Sequence, residues 1–392
     1  MKKTICMVAY TNYVTDARVR REAETLACQP DFDVLFLALK EGGKPVTYTL
    51  DKVKVFELNI RKYRGKSRLF YFGSYFKFLI LAFLRCSQLL LKNEIDIVHV
   101  HNMPNFLIFS GILTRFLKKK LILDMHDSMP ETFTAKFEEK SNDFLFKLLC
   151  FEEAVCCRIA DKIICVNHIQ RDILIQRGIP ESKIDISINV PDHKKFNLER
   201  MNEPQPEVLS SFNLVYHGTI TKRLGVDLAI KAVAHLIDRI PNLEFYIFGS
   251  GDDKEEFIEL SEKLGIANHV HFNDGMISVD ELTDALSGMD IGVVSNRRNI
   301  ATELMLPVKL LEYIALSIPV VAPKLKAISY YFSEDMVTFF EPENIEDLSS
   351  AIMELYKNKS RRESQIQLAR KFLDRYGWET HQKDLINLYH QL

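Results

Sequence analysis

Short apolar runs recur along the first half of the chain and are separated by amphipathic or polar stretches. The runs lie at residues 4–9, 34–38, 53–58, 96–100, 119–123 and 162–166. Continuous runs of this length are typical of parallel strands that are covered on both faces. Residues 16–26 read as a helix between two such strands, with Asp16 or Thr15 as its N-cap. The first half therefore predicts an open, mostly parallel α/β sheet.

The second half of the chain repeats this pattern of short apolar runs separated by polar or amphipathic stretches. Its apolar runs lie at residues 214–217, 244–248, 270–272, 290–294 and 320–322. Between the halves, residues 193–211 are polar and carry Pro204 and Pro206, which is typical of an interdomain linker. A chain of 392 residues is long enough for about two domains. We therefore predict two α/β domains.

Residues 304–322 predict a loop, a helix and a strand, in that order. Pro307 suits the first turn of the helix, because its missing N–H costs nothing there, and Pro319 ends it. The free N–H groups at a helix N-terminus favour a phosphate. Lys309 adds a cation for that phosphate, and Glu312 offers a carboxylate to sugar hydroxyls. The alternative is an amphipathic helix on which Lys309 and Glu312 are merely solvated.

Other polar residues follow the predicted strands directly. Gly218 lets the backbone approach a ligand, and the forked guanidinium of Arg223 can bind a diphosphate. In the first half, polar residues follow strands at 101–102 and at 124–131. Open α/β sheets place their ligands at these carboxyl ends of the strands.

The motif Leu-Pro-x-Lys-Leu-Leu-Glu-Tyr-x-Ala at 306–315, followed by Pro-Val-Val-Ala at 319–322, resembles the donor-site motif of a known family. That family is the retaining GT-B glycosyltransferases of group 1, or family 4. Residues 96–102 resemble its DIVHxHN segment, and residues 124–131 resemble its DxHDxxPE segment. The resemblance implies two doubly wound, Rossmann-like domains that face a cleft. These are an acceptor-side domain at 1–195, a nucleotide-sugar-binding domain at 212–370, and a C-terminal helix at 371–392 that packs on the first domain.

The resemblance also implies roles for individual residues. The catalytic positions are His126, which faces the donor sugar in the family, together with Arg223, Lys309 and Glu312. The donor-binding positions are Gly218, Thr219, Gly249, Gly251, Met276, Glu303, Leu306 and Pro307. The acceptor-side positions are Asp16, Arg18, His101 and Asp127. For the arginines of 16–26, a solvated helix face is the alternative.

Three positions depart from the family pattern. The family commonly has an arginine directly after the equivalent of Gly218 and a lysine before the next glycine, where this chain has Thr219 and Leu224. We expect Arg223 and Lys309 to replace that pair. Leu304 stands where the family has a second glutamate. A one-residue bulge would let Glu303 take its place, and the alternative is that backbone groups alone fill this role.

Residues 61–91 combine a basic cluster with a long aromatic and aliphatic stretch. Lys77 and Arg85 interrupt the stretch, so we do not expect it to span a membrane. One interpretation is a basic amphipathic helix on an anionic membrane surface. The other is a domain helix with one long buried face, preceded by a solvated basic loop.

Composition and the N-terminal residues bear on the partners and the cellular compartment of the protein. A net charge of −2 gives no reason to expect nucleic acid. The seven cysteines show no metal-binding spacing, and free thiols suggest a reducing cytoplasm. The N-terminus reads as a first strand rather than a signal peptide.

Together these features predict an enzyme that moves a hexose from a UDP- or GDP-linked donor to a hydroxyl of a glycan or a lipid-linked acceptor, with the retention that the resemblance implies. The expected setting is polysaccharide or glycolipid synthesis at the inner face of the cytoplasmic membrane. No cofactor or metal is expected, because the cations and the helix N-terminus stabilise the departing diphosphate. The alternatives are a nucleotide-sugar epimerase of the same fold and a non-catalytic nucleotide-sugar-binding protein.

Overall fold

The structure of the protein is a computed structural model. It describes residues 2–63, 65, 67–137, 144–192, 195–196, 211–273, 275 and 277–392, without the side chain of residue 68. Met276 and most of the predicted linker, 193–194 and 197–210, lie outside the described residues. The chain divides into two compact units, one made of Met1–Asn189 with His381–Leu392 and the other of Val190–Thr380.

The first unit is built on an eight-stranded sheet in the order β3-β4-β2-β1-β5-β6-β7-β8. Every pair of neighbouring strands is parallel except β3 and β4. The strands are β1 Lys3–Val8, β2 Phe32–Leu39, β3 Thr47–Leu50, β4 Val53–Leu58, β5 Ile97–His101, β6 Lys120–Met125, β7 Lys162–Cys165 and β8 Ile184–Ile186. The central strands are buried on both faces, as their continuous apolar runs predict.

Helices and one long 3₁₀ segment, Asn105–Arg115, connect these strands. The helices are α1 Ala17–Ala27, α2 Arg68–Leu91, α3 Met129–Phe137, α4 Phe144–Ile159 and α5 His168–Gln176. One face of α2 packs into the core of the unit through Tyr75, Phe78, Ala82, Cys86 and Leu89. The other side of α2 is exposed although it is also apolar.

The second unit is built on a six-stranded parallel sheet in the order β11-β10-β9-β12-β13-β14. The strands are β9 Phe212–His217, β10 Leu243–Phe248, β11 Val270–Phe272, β12 Ile291–Val293, β13 Val320–Pro323 and β14 Thr338–Phe340. Because successive strands run first to one edge and then to the other, the order reverses between β9 and β12. In open α/β sheets such a switch point, at the carboxyl ends of the strands, is where ligands bind.

The helices of the second unit include the one that residues 304–322 predict. They are α6 Val226–Ala234, α7 Lys254–Lys263, α8 Val279–Leu286, α9 Val308–Ala315, α10 Lys326–Tyr331, α11 Ile345–Lys357 and α12 Lys359–Tyr376. Pro307 is the N-cap of α9 rather than a residue of its first turn, and the helix ends at Ala315, before Pro319. A last helix, α13 Trp378–Gln391, begins in the second unit, and from His381 onward it belongs to the first.

Candidate functional site

Lys309 lies in the first turn of α9, and its ammonium group is buried. Part of the side chain is exposed, but the Nζ atom has almost no accessible surface and no hydrogen-bond partner. It lies 3.5 Å from the centroid of the Tyr216 ring. Burial lowers the pKa of Lys309 to about 7, and Glu312 opposes the shift. The alternative of a solvated Lys309 is therefore wrong. Its ammonium group lies over the Tyr216 ring, beside a helix N-terminus, and has no hydrogen-bond partner.

Gly218 makes room for Lys309 at the end of β9. Its φ is +116°, and a Cβ atom there would lie 3.3 Å from Lys309 Nζ. The Tyr216 hydroxyl donates to the Thr219 carbonyl over 2.7 Å and so fixes the turn after the strand. The glycine thus serves both the backbone conformation and the passage of the lysine.

Glu312 faces His217, the last residue of β9. The Glu312 Oε2 and His217 Nε2 atoms are 3.2 Å apart. Burial, with the nearby Lys309 charge, lowers the pKa of His217 to about 3, so the imidazole is neutral at neutral pH. Tyr313 fixes the strand end, since its hydroxyl accepts from the His217 N–H and donates to the Val215 carbonyl.

Arg223 provides a second cation near the same strand end. It lies on a short 3₁₀ turn, Lys222–Leu224. Burial raises the pKa of Tyr216 and the charge of Arg223 opposes this, which places the guanidinium within electrostatic reach of the ring that Lys309 covers. Within the part of the chain that the structure describes, Arg223 forms no ion pair with a carboxylate.

The two glycines of the Gly249-Ser250-Gly251 segment are required by loop packing. A Cβ atom on Gly249 would lie 1.9 Å from the Gly218 carbonyl oxygen, and one on Gly251 would lie 2.0 Å from the Ile220 carbonyl oxygen. The loops after β9 and β10 therefore touch through their backbones. This packing accounts for both glycines without a ligand.

Both carboxylate oxygens of Glu303 accept hydrogen bonds from other residues of the protein. One of its oxygens accepts from Arg298 Nε over 3.0 Å, and the other accepts from the Lys326 N–H at the start of α10 over 2.6 Å. Leu306 and Pro307 lead into α9, and Thr219 is exposed after β9. These contacts give Glu303 a structural role, and its donor-binding role stays a prediction.

In the first unit, three of the predicted site residues surround the buried carboxylate of Asp124 at the end of β6. Arg18 Nη2 donates to Asp124 Oδ1 over 2.8 Å. His101 Nδ1 and His126 Nε2 lie 3.0 Å and 3.1 Å from Asp124 Oδ2. Glu22 shares the same guanidinium, since Arg18 Nε donates to it over 3.3 Å. Asp124 therefore orients His126, which is 20% exposed, from beneath.

The two carboxyl groups that share Arg18 differ in charge. Burial opposes ionisation of Asp124, but Arg18 and His126 hold its pKa well below its usual range. Burial and the neighbouring Asp124 charge raise the pKa of Glu22 to about 8. Asp124 is therefore the ionised partner of Arg18, and Glu22 carries a proton at neutral pH.

Arg18 corrects one interpretation of the sequence. The guanidinium is 8% exposed and both of its charged contacts are internal, so the solvated alternative is wrong for this arginine. Asp16 caps α1 by accepting from the Val19 N–H over 3.4 Å. Asp127 lies next to His126 in the same loop and is half-buried. The acceptor-side roles of these residues stay predictions.

Four buried groups near Arg18 are close enough to hold a metal ion. The candidate ligand atoms of Glu22, His99, His101 and Asp124 all lie within 4.8 Å of one another. Arg18 already balances the charge of this cluster, and a divalent cation would be repelled by it. We therefore assign no metal to these side chains.

Sequence reasoning missed the residues that give the two sites their buried contacts. In the second unit these are Tyr216 and Tyr313, which lie within a strand and a helix and so looked like ordinary core residues. In the first unit, Asp124 lies in the segment 124–131 and Glu22 lies in the predicted helix 16–26, but their roles depend on burial. A carboxylate directly after an apolar strand was the available signal for Asp124.

The two sheets, with a buried lysine and a helix N-terminus at the switch point of the second, are typical of the two-domain GT-B class of fold. Comparisons with known proteins agree. Residues 199–372 match the family model described as glycosyl transferases group 1, and residues 27–189 match the one described as glycosyltransferase family 4. The chain belongs to the group 1 glycosyltransferases. The predictions of a group 1 glycosyltransferase and of two parallel-sheet α/β domains of the GT-B class are confirmed, whereas retention stays a prediction.

Individual relatives are distant. Over 297 residues the chain is 22% identical to the sulfoquinovosyl transferase SQD2 of Arabidopsis thaliana. That match covers 72% of this chain and 54% of SQD2, so the chain spans about half the length of this relative.

Solved structures share the architecture over the full chain. Sucrose-phosphate synthase from Thermosynechococcus elongatus has a TM-score of 0.78 at 16% identity, covering 100% of this chain and 99% of its own. HepE of Anabaena, in complex with UDP, has a TM-score of 0.73 at 14% identity and 100% coverage of both chains. At these identities the likeness shows the fold alone.

Proposed function

We propose that this glycosyltransferase moves a hexose from a UDP- or GDP-linked donor to an acceptor hydroxyl with retention at the anomeric carbon. The observation that carries the proposal is the Lys309 ammonium, buried without a hydrogen-bond partner at the N-terminus of α9. A buried cation beside free helix N–H groups is a site for an anion. The related fold of HepE contains UDP in one structure and UDP-glucose in another, which supports a nucleotide diphosphate as that anion.

The proposed chemistry follows from where charge develops. The bond between the anomeric carbon and the donor diphosphate breaks, and negative charge collects on the departing diphosphate. The acceptor hydroxyl oxygen bonds to that carbon, and its proton passes to the departing diphosphate. The negative charge on the departing diphosphate is stabilised by Lys309, Arg223 and the helix N-terminus. These groups stabilise the transition state more than the bound donor, which lowers the activation barrier. These groups supply the positive charge, so the proposal includes no metal ion and no cofactor.

Glu312 and His126 have sugar-directed roles in the proposal. Glu312 lies one turn into α9 beside the neutral His217 and accepts hydrogen bonds from donor hydroxyls. His126 contacts the donor sugar, and its Nε2 is held by Asp124. The orientation of the imidazole is thereby fixed before a sugar binds.

The proposed acceptor is a glycan or a lipid-linked sugar in polysaccharide or glycolipid synthesis. The proposed location is the cytoplasm, at the inner face of the membrane, with peripheral contact through residues 61–91. The basic cluster and the apolar helix of that segment support this location.

The test measures donor binding and turnover of Lys309→Ala and Arg223→Ala with UDP-glucose and GDP-mannose as probes. Removing one donor to a developing charge costs about 10²–10³ in kcat. Glu312→Gln is expected to weaken donor binding by about 1.5–3 kcal/mol, the value of a charged hydrogen bond. The matched control is Lys324→Ala, which removes an exposed lysine of the same unit that pairs with Glu334.

Retention is read separately by NMR, from the anomeric configuration of the first product formed. An inverted product would overturn that part of the proposal. Normal kcat in both Lys309→Ala and Arg223→Ala would mean that backbone N–H groups alone hold the diphosphate. Release of free nucleotide only when an acceptor is present separates transfer from epimerisation.

A further inference from the structure

The outer side of α2 is an apolar stripe that faces solvent. Its exposed residues include Leu69, Phe72, Phe76, Ile80 and Leu84, spaced by three or four positions. Phe76 is 60% exposed and Leu84 is 59% exposed. At about 100° per residue, this stripe lies opposite the face that packs into the core. A soluble surface does not usually present so many large apolar side chains together.

Two neighbouring elements of the same unit also expose large apolar side chains. The 3₁₀ segment Asn105–Arg115 packs against both α2 and α4. Directly after it, Phe116 is 78% exposed. On α4 the exposed residues Phe144, Leu148 and Phe151 follow helical spacing. We call the exposed apolar residues of α2, α4 and Phe116 the apolar face.

Charge indicates what covers the apolar face. Between Asn59 and Asn93 the sequence contains eight lysines and arginines and no aspartate or glutamate, although the whole chain has a net charge of −2. At the N-terminal end of α2, an open groove of about 530 Å³ is lined by Lys62, Tyr63, Phe70 and Lys77. Cations and aromatic rings side by side match the phosphates and the upper acyl chains of anionic lipid.

We infer that the apolar face lies flat on an anionic phospholipid bilayer. Leu69–Leu91 is long and apolar enough to span a membrane. Spanning would remove Phe78, Ala82 and Cys86 from the core, where all three are fully buried, so the helix lies on the interface instead. This inference deepens the membrane contact in the proposed function and does not depend on the transfer chemistry. It adds α4 and Phe116, which lie outside residues 61–91.

The test is flotation of the full chain with vesicles of phosphatidylcholine, alone or mixed with phosphatidylglycerol. Phe76→Ser and Phe151→Ser each remove an exposed ring and are expected to lower partitioning by about tenfold. Lys62→Gln and Lys77→Gln are expected to lower it by about fivefold each, and only at low salt. The matched control is Leu264→Ser, which removes an exposed leucine of the second unit.

Three outcomes would overturn the inference. The first is that wild-type protein fails to float with anionic vesicles. The second is that Phe151→Ser floats as well as wild type, which would exclude α4 from the contact. The third is a lipid-free dimer in light scattering that Phe76→Ser dissociates, since a second copy would then cover the face. The affinity for UDP-glucose or GDP-mannose is measured in the same samples. It tests the transfer proposal independently, so failure of vesicle binding and failure of donor binding can be told apart.

Discussion

The buried ammonium of Lys309, which lacks a hydrogen-bond partner, predicts that donor binding takes up a proton. With a pKa of about 7, this amine is about nine-tenths neutral at pH 8 and about nine-tenths charged at pH 6. A bound diphosphate favours the charged form and raises that pKa. Binding should therefore take up about 0.9 proton at pH 8 and about 0.1 at pH 6. Above pH 7 the affinity should fall by about tenfold per pH unit, or about 1.4 kcal/mol.

Isothermal titration calorimetry measures this uptake when the same binding is followed in buffers of different ionisation enthalpy. UDP-glucose and GDP-mannose are suitable probes, because their diphosphates do not titrate between pH 6 and pH 8. His217, with a pKa of about 3, is neutral across this range in the free protein and does not supply the signal.

Two variants make the measurement specific. Lys309→Met should bind the probe more weakly and take up no proton, whereas Lys324→Met should behave as wild type because that lysine is exposed. The reasoning is refuted if wild type takes up no proton near pH 8. It is also refuted if Lys309→Met takes up as much as wild type, since another group would then titrate.

Two further predictions concern stability. Because the pKa of Glu22 is raised, the folded state holds a proton between about pH 4.5 and pH 8 that the unfolded state releases, so the free energy of unfolding falls as pH rises through this window, by up to about 1.4 kcal/mol per pH unit. Glu22→Gln should therefore unfold at a higher temperature than wild type at pH 8 and at a similar temperature at pH 4.5. An equal difference in unfolding temperature at both pH values would contradict the assignment. Gly251→Ala should lower the free energy of unfolding by about 3 kcal/mol in a urea titration, because its Cβ atom would collide with the Ile220 carbonyl oxygen. The control is Gly43→Ala, whose Cβ atom would have no other atom within 4 Å. A Gly251→Ala variant as stable as wild type would show that the loop can move to accept the methyl group.

The sequence predicted the sheets well because apolar runs report burial directly. The run at 4–9 became β1 and the run at 244–248 became β10, each within a residue or two. Helix α9 was also predicted, since its cap and its apolar spacing are local signals. Its end was predicted too late, because the helix stops at Ala315 and Pro319 lies beyond it.

The burial of side chains could not be predicted in the same way. The spacing of Lys309 in α9 fits a solvated lysine as well as a buried one, and only the gap left by Gly218 and the ring of Tyr216 decide between them. Arg18 is similar, because the carboxylate that buries it comes from β6, far along the chain. Helix α2 has the buried face of the domain-helix interpretation, and its exposed apolar side leaves contact with a membrane a prediction.

The contact between the loops after β9 and β10 has a consequence for the kinetics of donor binding. Besides the close approach at Gly249, the Gly218 N–H donates to the Phe248 carbonyl over 2.8 Å, and the Ile220 N–H donates to the Ser250 carbonyl over 3.0 Å. The two loops therefore form one stiff surface that needs no ordering when a ligand arrives, which removes an entropic cost of binding. Association should then be fast and similar for different nucleotides. Selectivity among them would be expressed in how long each one stays bound.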